Sequence, residues 1–110
     1  MPDANMLRGN LDLILLMILE DGPKYGLEII NDAQHRTSGY FDFKEGSVYP
    51  ALHRLMKEGW LRADFQPSPR GGMPARYYAL TPEGHTALAQ KREAFSRFTD
   101  AVFSLGRRSG

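Results

Sequence analysis

Cysteine is absent from the chain, so no disulfide forms and no thiolate can hold zinc. That is compatible with a cytoplasmic protein, the expected location. Long apolar runs are missing too. The longest, residues 13–19, falls well short of the about 20 residues a helix needs to cross a bilayer. No basic stretch followed by an apolar core and a cleavage site opens the chain, so no signal peptide is expected. Charge of one sign is scarce: 14 Lys/Arg face 13 Asp/Glu, for a formal net charge of +1. The total therefore says nothing about partners. The three histidines, His35, His53 and His85, fall on separate stretches without metal-ligand spacing. No Ser/His/Asp set, paired carboxylates or phosphate loop stands out, and Gly71-Gly72 alone is weak. An enzyme is not expected, and neither is a metal or a cofactor.

What is present is more informative. A chain of 110 residues fits one small domain. With 42% hydrophobic and 25% charged residues it has the composition of a globular protein rather than a disordered one. Charge is unevenly placed. Between residues 44 and 76 six Lys/Arg face three acids, a local +3 that leaves −2 for the rest. A basic middle in a slightly acidic body is an electrostatic footprint for nucleic acid.

Residues 44–59 organise the chain. Pro50 lacks an N–H and is tolerated in a helix's first turn, so a helix is expected to start near Ser47, a good N-cap. Gly59 suits its C-terminal cap. Val48, Leu52, Leu55 and Met56 form an apolar stripe at helical spacing. Ser47, Tyr49, Pro50, His53, Arg54 and Lys57 lie largely off it, giving a small, hydroxylic and basic outer face. Such a face suits a polyanionic groove, with donors near the N-terminus and longer cations beyond. A solvated surface helix would read the same, and the neighbouring stretches decide between them.

Residues 1–6 read as a loose tail. Asn10 is a plausible N-cap for a first helix over 11–20. That helix is apolar nearly all round, so it must be covered on more than one side. In so small a chain one face meets the core and another is expected to meet a partner. After the turn Asp21-Gly22-Pro23, a second helix is expected over 25–36. Leu27, Ile30 and Ala33 would be buried, and Glu28, Asn31, Asp32 and Gln34 solvated. Residues 40–43 are an extended linker into the basic helix. Residues 60–65 alternate apolar and polar, as a strand does. Residues 66–74 are a Pro/Gly-rich loop carrying Arg70, and 75–80 a second, aromatic strand. Helix, helix, basic helix and hairpin together make a winged helix-turn-helix.

Thr81-Pro82-Glu83 opens the last helix: an N-cap, a proline at the first helical position and an acid favoured by the dipole. It is expected to run to about Leu105, with 106–110 frayed. Leu88, Phe95 and Val102 repeat every seven residues, Phe98 and Leu105 interleave, and Lys91 interrupts. This seam is too short to hold alone. Paired with helix one it predicts a homodimer built on Leu11, Leu15, Ile18, Leu88, Phe95, Phe98, Val102 and Leu105. The expected fold class is mainly α with a β-hairpin. Its expected division is 1–80, a winged helix-turn-helix DNA-binding domain, and 81–110, a C-terminal dimerisation helix.

Four blocks carry a wider resemblance: Leu7-Arg8-Gly9-Asn10-Leu11-Asp12; Gly22-Pro23-Lys24-Tyr25-Gly26; Glu45-Gly46-Ser47-Val48-Tyr49-Pro50-Ala51-Leu52-His53-Arg54-Leu55; and Arg76-Tyr77-Tyr78-Ala79-Leu80-Thr81-Pro82-Glu83-Gly84. They resemble the PadR family of bacterial transcriptional regulators over nearly the whole chain, in its smaller subgroup with a single C-terminal helix. The third block is the most specific. The resemblance implies a dimeric DNA-binding repressor whose first and last helices form the dimer, and it associates the position of Tyr49 with DNA contact.

Two central helices related by a twofold axis would enter successive major grooves about 34–36 Å apart. Ser47 and Tyr49 are then expected on phosphate, Arg54 and Lys57 on bases or far backbone, and His53 on either. Lys44, Gly46 and Pro50 complete that face. Lys24 and Tyr25 are expected to clamp the backbone, and Arg70 and Arg76 to act from the hairpin. Effector binding in the subgroup involves a tryptophan supplied by the C-terminal helix to a pocket at the dimer interface. Here the only tryptophan, Trp60, precedes the first hairpin strand. Phe95 and Phe98 either pack as seam residues or line a smaller pocket for a small aromatic effector. The remaining alternative is a winged helix used only for protein-protein contacts.

Overall fold

The computed structural model describes residues 2–107. Met1 and residues 108–110, part of the expected tail and frayed end, lie outside the described residues.

The first helix, α1, spans Ala4–Ile18, starting well before residue 11. Asp3 is its N-cap, and its carboxylate accepts the backbone N–H of Asn5 (2.7 Å) and Met6 (3.4 Å). Asn10 does not cap. Its side-chain amide donates to the Met6 carbonyl at 2.7 Å, from within the helix. The competing signal was Asp3, seven residues upstream, followed by the good helix formers Ala4, Met6, Leu7 and Arg8. A single 3₁₀ turn, Leu19–Asp21, closes the helix.

Lys24–Tyr25 then forms a two-residue strand, β1, and Gly26–Arg36 forms α2. Ile29 joins Ile30 and Ala33 in the core, Leu27 is half-buried, and Asp32 is half-buried and ion-paired rather than solvated. The third helix, α3, spans Glu45–Lys57. It ends as expected: Gly59 adopts φ +80°, its N–H donates to Met56 O (2.9 Å), and the Trp60 N–H donates to Leu55 O (3.0 Å). This double closure satisfies two otherwise orphaned carbonyls.

The hairpin strands are β2, Leu61–Gln66, and β3, Ala75–Leu80. The sheet has three antiparallel strands rather than two, in the order β1-β3-β2. Lys24 lies opposite Tyr78, and Leu61 opposite Leu80. The last helix, α4, spans Pro82–Gly106, with Thr81 Oγ1 accepting the Gly84 N–H at 3.0 Å as its cap.

The core collects Leu15, Leu16, Leu19, Ile29, Val48, Leu52, Leu55 and Leu88. This corrects part of the expected dimer seam. Leu15, Ile18 and Leu88 are 0%, 6% and 2% exposed and belong to the interior of a single chain. The reason is that α2, α3 and the start of α4 cover the face of α1 that periodicity alone left open. Lys91 also turns inward, its ammonium 5.1 Å from the centre of the half-buried Trp60 ring. Leu11 is half-buried. Farther along α4, Phe95, Phe98, Val102 and Leu105 are exposed, joined by Phe103, which the heptad pattern omits. This distal half of α4 projects from the body, and the molecule measures 63 × 29 × 22 Å.

Candidate nucleic-acid interface

The buried residues of α3 are Val48, Ala51, Leu52 and Leu55. At about 100° per residue the opposite line of the helix is Gly46, Pro50, His53 and Lys57. All four are exposed. No carboxylate occurs between residues 46 and 57.

The helix begins earlier than Ser47. Lys44 is the N-cap, and its carbonyl accepts the N–H of Ser47 (3.0 Å) and Val48 (3.1 Å). Pro50 therefore lies inside the helix, in its second turn, which corrects the first-turn expectation. Its missing N–H leaves the Gly46 carbonyl without the usual partner four residues on. Gly46 has nothing within 4 Å of where a Cβ would sit. With Gly46 and Pro50 the start of the outer face is low in profile, and the longer His53 and Lys57 follow. Lys44 is strongly exposed, 3.7 Å from Asp42.

The flanks of α3 differ. On one side Tyr49, 39% exposed, lays its ring against Gly26 at the start of α2. A Cβ at Gly26 would come within 2.5 Å of two ring carbons. Burial first, then the Glu45 carboxylate and Tyr78, push the Tyr49 phenol above its ordinary value. It therefore stays a protonated hydrogen-bond donor at neutral pH. On the other flank Arg54 donates to the Asp12 carboxylate of α1.

Tyr25, Tyr49, Arg70 and Arg76 border one notch of about 260 Å³ between the start of α2, α3 and the β2–β3 hairpin. Tyr25 packs edge-on against Tyr77, with ring centres 5.4 Å apart. The Arg76 guanidinium sits 5.7 Å from the centre of the Tyr78 ring and donates to Met56 Sδ at 3.6 Å. Arg70 is exposed at the hairpin tip, where its backbone N–H donates to Ser68 Oγ at 3.3 Å. Neither Arg70 nor Lys57 has an ion pair among the described residues. Sequence reading omitted Ser68, Tyr77 and Tyr78 from this region. The aromatic richness of 75–80 was the signal for the two tyrosines.

Lys24 is not brought to this notch as a free cation. It is 9% exposed, with Nζ 2.5 Å from Asp21 and 3.9 Å from Asp32. Arg36 closes the group, with Nη2 at 2.7 Å from Asp21 and 2.9 Å from Asp32. The Lys24 hydrogen bond, opposed by desolvation and reinforced by Arg36, holds the Asp21 carboxyl below the usual carboxylate range. Lys24 and Arg54 are thus both engaged by carboxylates. Both were expected on DNA, Lys24 clamping the backbone and Arg54 reaching bases or far backbone.

A second concavity, about 540 Å³ and almost wholly apolar, lies between α1, α4 and the linker before α3. Met6, Leu7, Met17, Tyr40, Phe41 and Phe95 are among its walls. Among the described residues no three His, Cys, Asp or Glu side chains are placed to share a metal ion. None of the described helices is long and apolar enough to cross a membrane.

Comparison with known proteins agrees with this geometry. Residues 15–90 match the model of the transcriptional regulator PadR-like family. An uncharacterized protein from Lysinibacillus sphaericus is 31% identical over 90 residues, 82% of each chain. A transcriptional regulator from Clostridium thermocellum superposes with a TM-score of 0.85 at 27% identity, over 97% of this chain and 100% of its own. A PadR-like transcriptional regulator from Bacillus cereus gives 0.82 at 25% identity, over 96% of this chain and 100% of its own.

Proposed function

The chain belongs to the PadR-like family of transcriptional regulators, and we propose that it is a repressor that binds an inverted-repeat operator as a homodimer. The observation that carries this reading is the acid-free outer face of α3 beside the notch bordered by Arg70 and Arg76. In this reading α3 is the recognition helix and the hairpin is the wing. Gly46 and Pro50 let the start of α3 approach the duplex closely. Ser47, Tyr49 and Tyr25 donate to phosphates. Lys44, His53 and Lys57 follow the groove, and Arg70 and Arg76 hold the backbone from the wing. Lys24 and Arg54, engaged by carboxylates, are left out of the contact set.

The winged helix-turn-helix up to Leu80 is the DNA-binding part, and α4, Pro82–Gly106, is the dimerisation helix. The exposed Phe98, Val102, Phe103 and Leu105 support the second assignment, because an apolar run of that size needs a cover. Those four, with Phe95 and Leu11, make up the proposed interface. Sequencing the DNA that the purified protein retains from its own genome tests the whole reading. One enriched inverted repeat is expected. Random fragments bound without preference would overturn it. A winged helix used only for protein contacts would show no affinity for random duplex at low salt by fluorescence anisotropy.

The apolar groove favours one further reading, a seat for a small aromatic effector. Its volume falls in the range of small-molecule sites, about 300–1,000 Å³. Planar aromatic compounds that raise the melting temperature and release the operator would establish it. A panel that does neither would remove it.

A further inference from the structure

Arg54 and Asp12 stand 42 positions apart in the chain, on α3 and α1, and their side chains meet in an ion pair. The side chains are 53% and 27% exposed, so neither is needed to fill the core. Asp12 also borders the notch between α1 and α4, together with Gly9, Asn10, Lys91 and Phe98. It therefore touches α3 on one side and, on the other, the region assigned above to the dimer interface.

We propose that Asp12 is a positioning residue: through Arg54 it fixes the recognition helix to α1 and so sets the half-site spacing that the dimer accepts. The inference rests on the homodimer reading. Each α3 is seated on the core by Val48, Ala51, Leu52 and Leu55, a buried face about 100° wide. Apolar packing of that kind is non-directional. The Asp12–Arg54 pair adds a directional tie on one flank, while Tyr49 against Gly26 braces the other. Spacing is a strict criterion. One added base pair moves the half-sites apart by about 3.4 Å and also rotates one about the duplex.

The test uses the inverted repeat recovered from the genome, with its native spacer and with one base pair added or removed. Wild type, Asp12→Asn, Arg54→Gln and the reversed pair Asp12→Arg/Arg54→Asp are titrated against all three duplexes. The single variants are expected to keep wild-type mass and circular dichroism. They should lose about two- to fivefold on the native spacer, the size of a half-exposed ion pair, and discriminate less between spacers. The reversed pair should restore discrimination. The slope of log affinity against log salt should not change in Arg54→Gln.

If Arg54→Gln instead weakens all spacers equally and lowers that slope by about one, Arg54 meets phosphate directly and the inference is overturned. Unchanged discrimination in both single variants overturns it as well. Failure of the genomic selection to give any inverted repeat removes the homodimer reading itself, and this inference with it.

Discussion

Gly84 lies in the first turn of α4, and the space for its side chain is already taken. A Cβ there would lie 2.9 Å from the Trp60 carbonyl carbon and closer still to its oxygen. That wall is backbone, so it cannot swing aside as a side-chain tip can. The Trp60 carbonyl is further committed to the Thr81 N–H at 3.0 Å. Thr81 Oγ1 in turn donates to Gly59 O and accepts the Gly84 N–H. In Gly84→Ala the helix start must move outward, straining all these bonds together.

Overpacking of this kind costs about 1–3 kcal/mol. Damage to the N-cap adds up to about 2 kcal/mol. Alanine's better helix propensity returns about 1 kcal/mol. The terms sum to about 0–4 kcal/mol, centred near 2 kcal/mol of destabilisation, a fall in melting temperature of about 10 °C for a domain of this size. Gly46→Ala is the control, because open space surrounds its built Cβ. There only the propensity gain remains, up to about 1 kcal/mol of stabilisation. Thermal and urea unfolding at one protomer concentration give both numbers, since a dimer's stability depends on concentration. If Gly84→Ala unfolds no earlier than wild type, the placement of α4 against Trp60 is wrong.

Gly26→Ala should behave differently, because its obstacle is the movable ring of Tyr49. A small loss of stability and a clear loss of DNA affinity are expected; unaltered affinity would show that the seat of Tyr49 is irrelevant to binding. Arg70→Ala should lower the slope of log affinity against log salt by about one if Arg70 meets phosphate, and an unchanged slope would clear it of that role. Phe98→Asp places a charge on a 67% exposed ring position of α4. It should halve the mass seen by light scattering while leaving helical content intact, and a persistent dimer would move the interface elsewhere. The depressed Asp21 carboxyl stabilises the fold above its unfolded value, near 3.8, and that contribution disappears as pH falls through the lower folded value. Asp21→Asn should therefore cost more stability at pH 6 than at about pH 2 by urea midpoint, and an equal cost at both would mean the Lys24 contact contributes nothing.

Cap chemistry and periodicity, both local properties, determined much of this protein from the chain alone. Thr81-Pro82 fixed the start of α4 because a side-chain acceptor and a residue lacking an N–H each have one good place there. Gly59 fixed the end of α3 because that closure requires positive φ. The strand over 75–80, the helix-turn-helix order and the acid-free stretch from 46 to 57 were legible for the same reason. What local chemistry does not contain is which surfaces meet. A two-residue strand such as β1 has no period to read, and only β3 beside it defines it. Leu15, Ile18 and Leu88 carry the same apolar signature as Phe98 and Leu105, yet the first three are interior and the last two exposed. Arg54 looks as free in sequence as Lys57, but Asp12, 42 positions away, stands beside it in space. Burial and charge pairing depend on neighbours brought together by folding, so only the tertiary structure decided which apolar residues stay exposed and which cations have a carboxylate beside them.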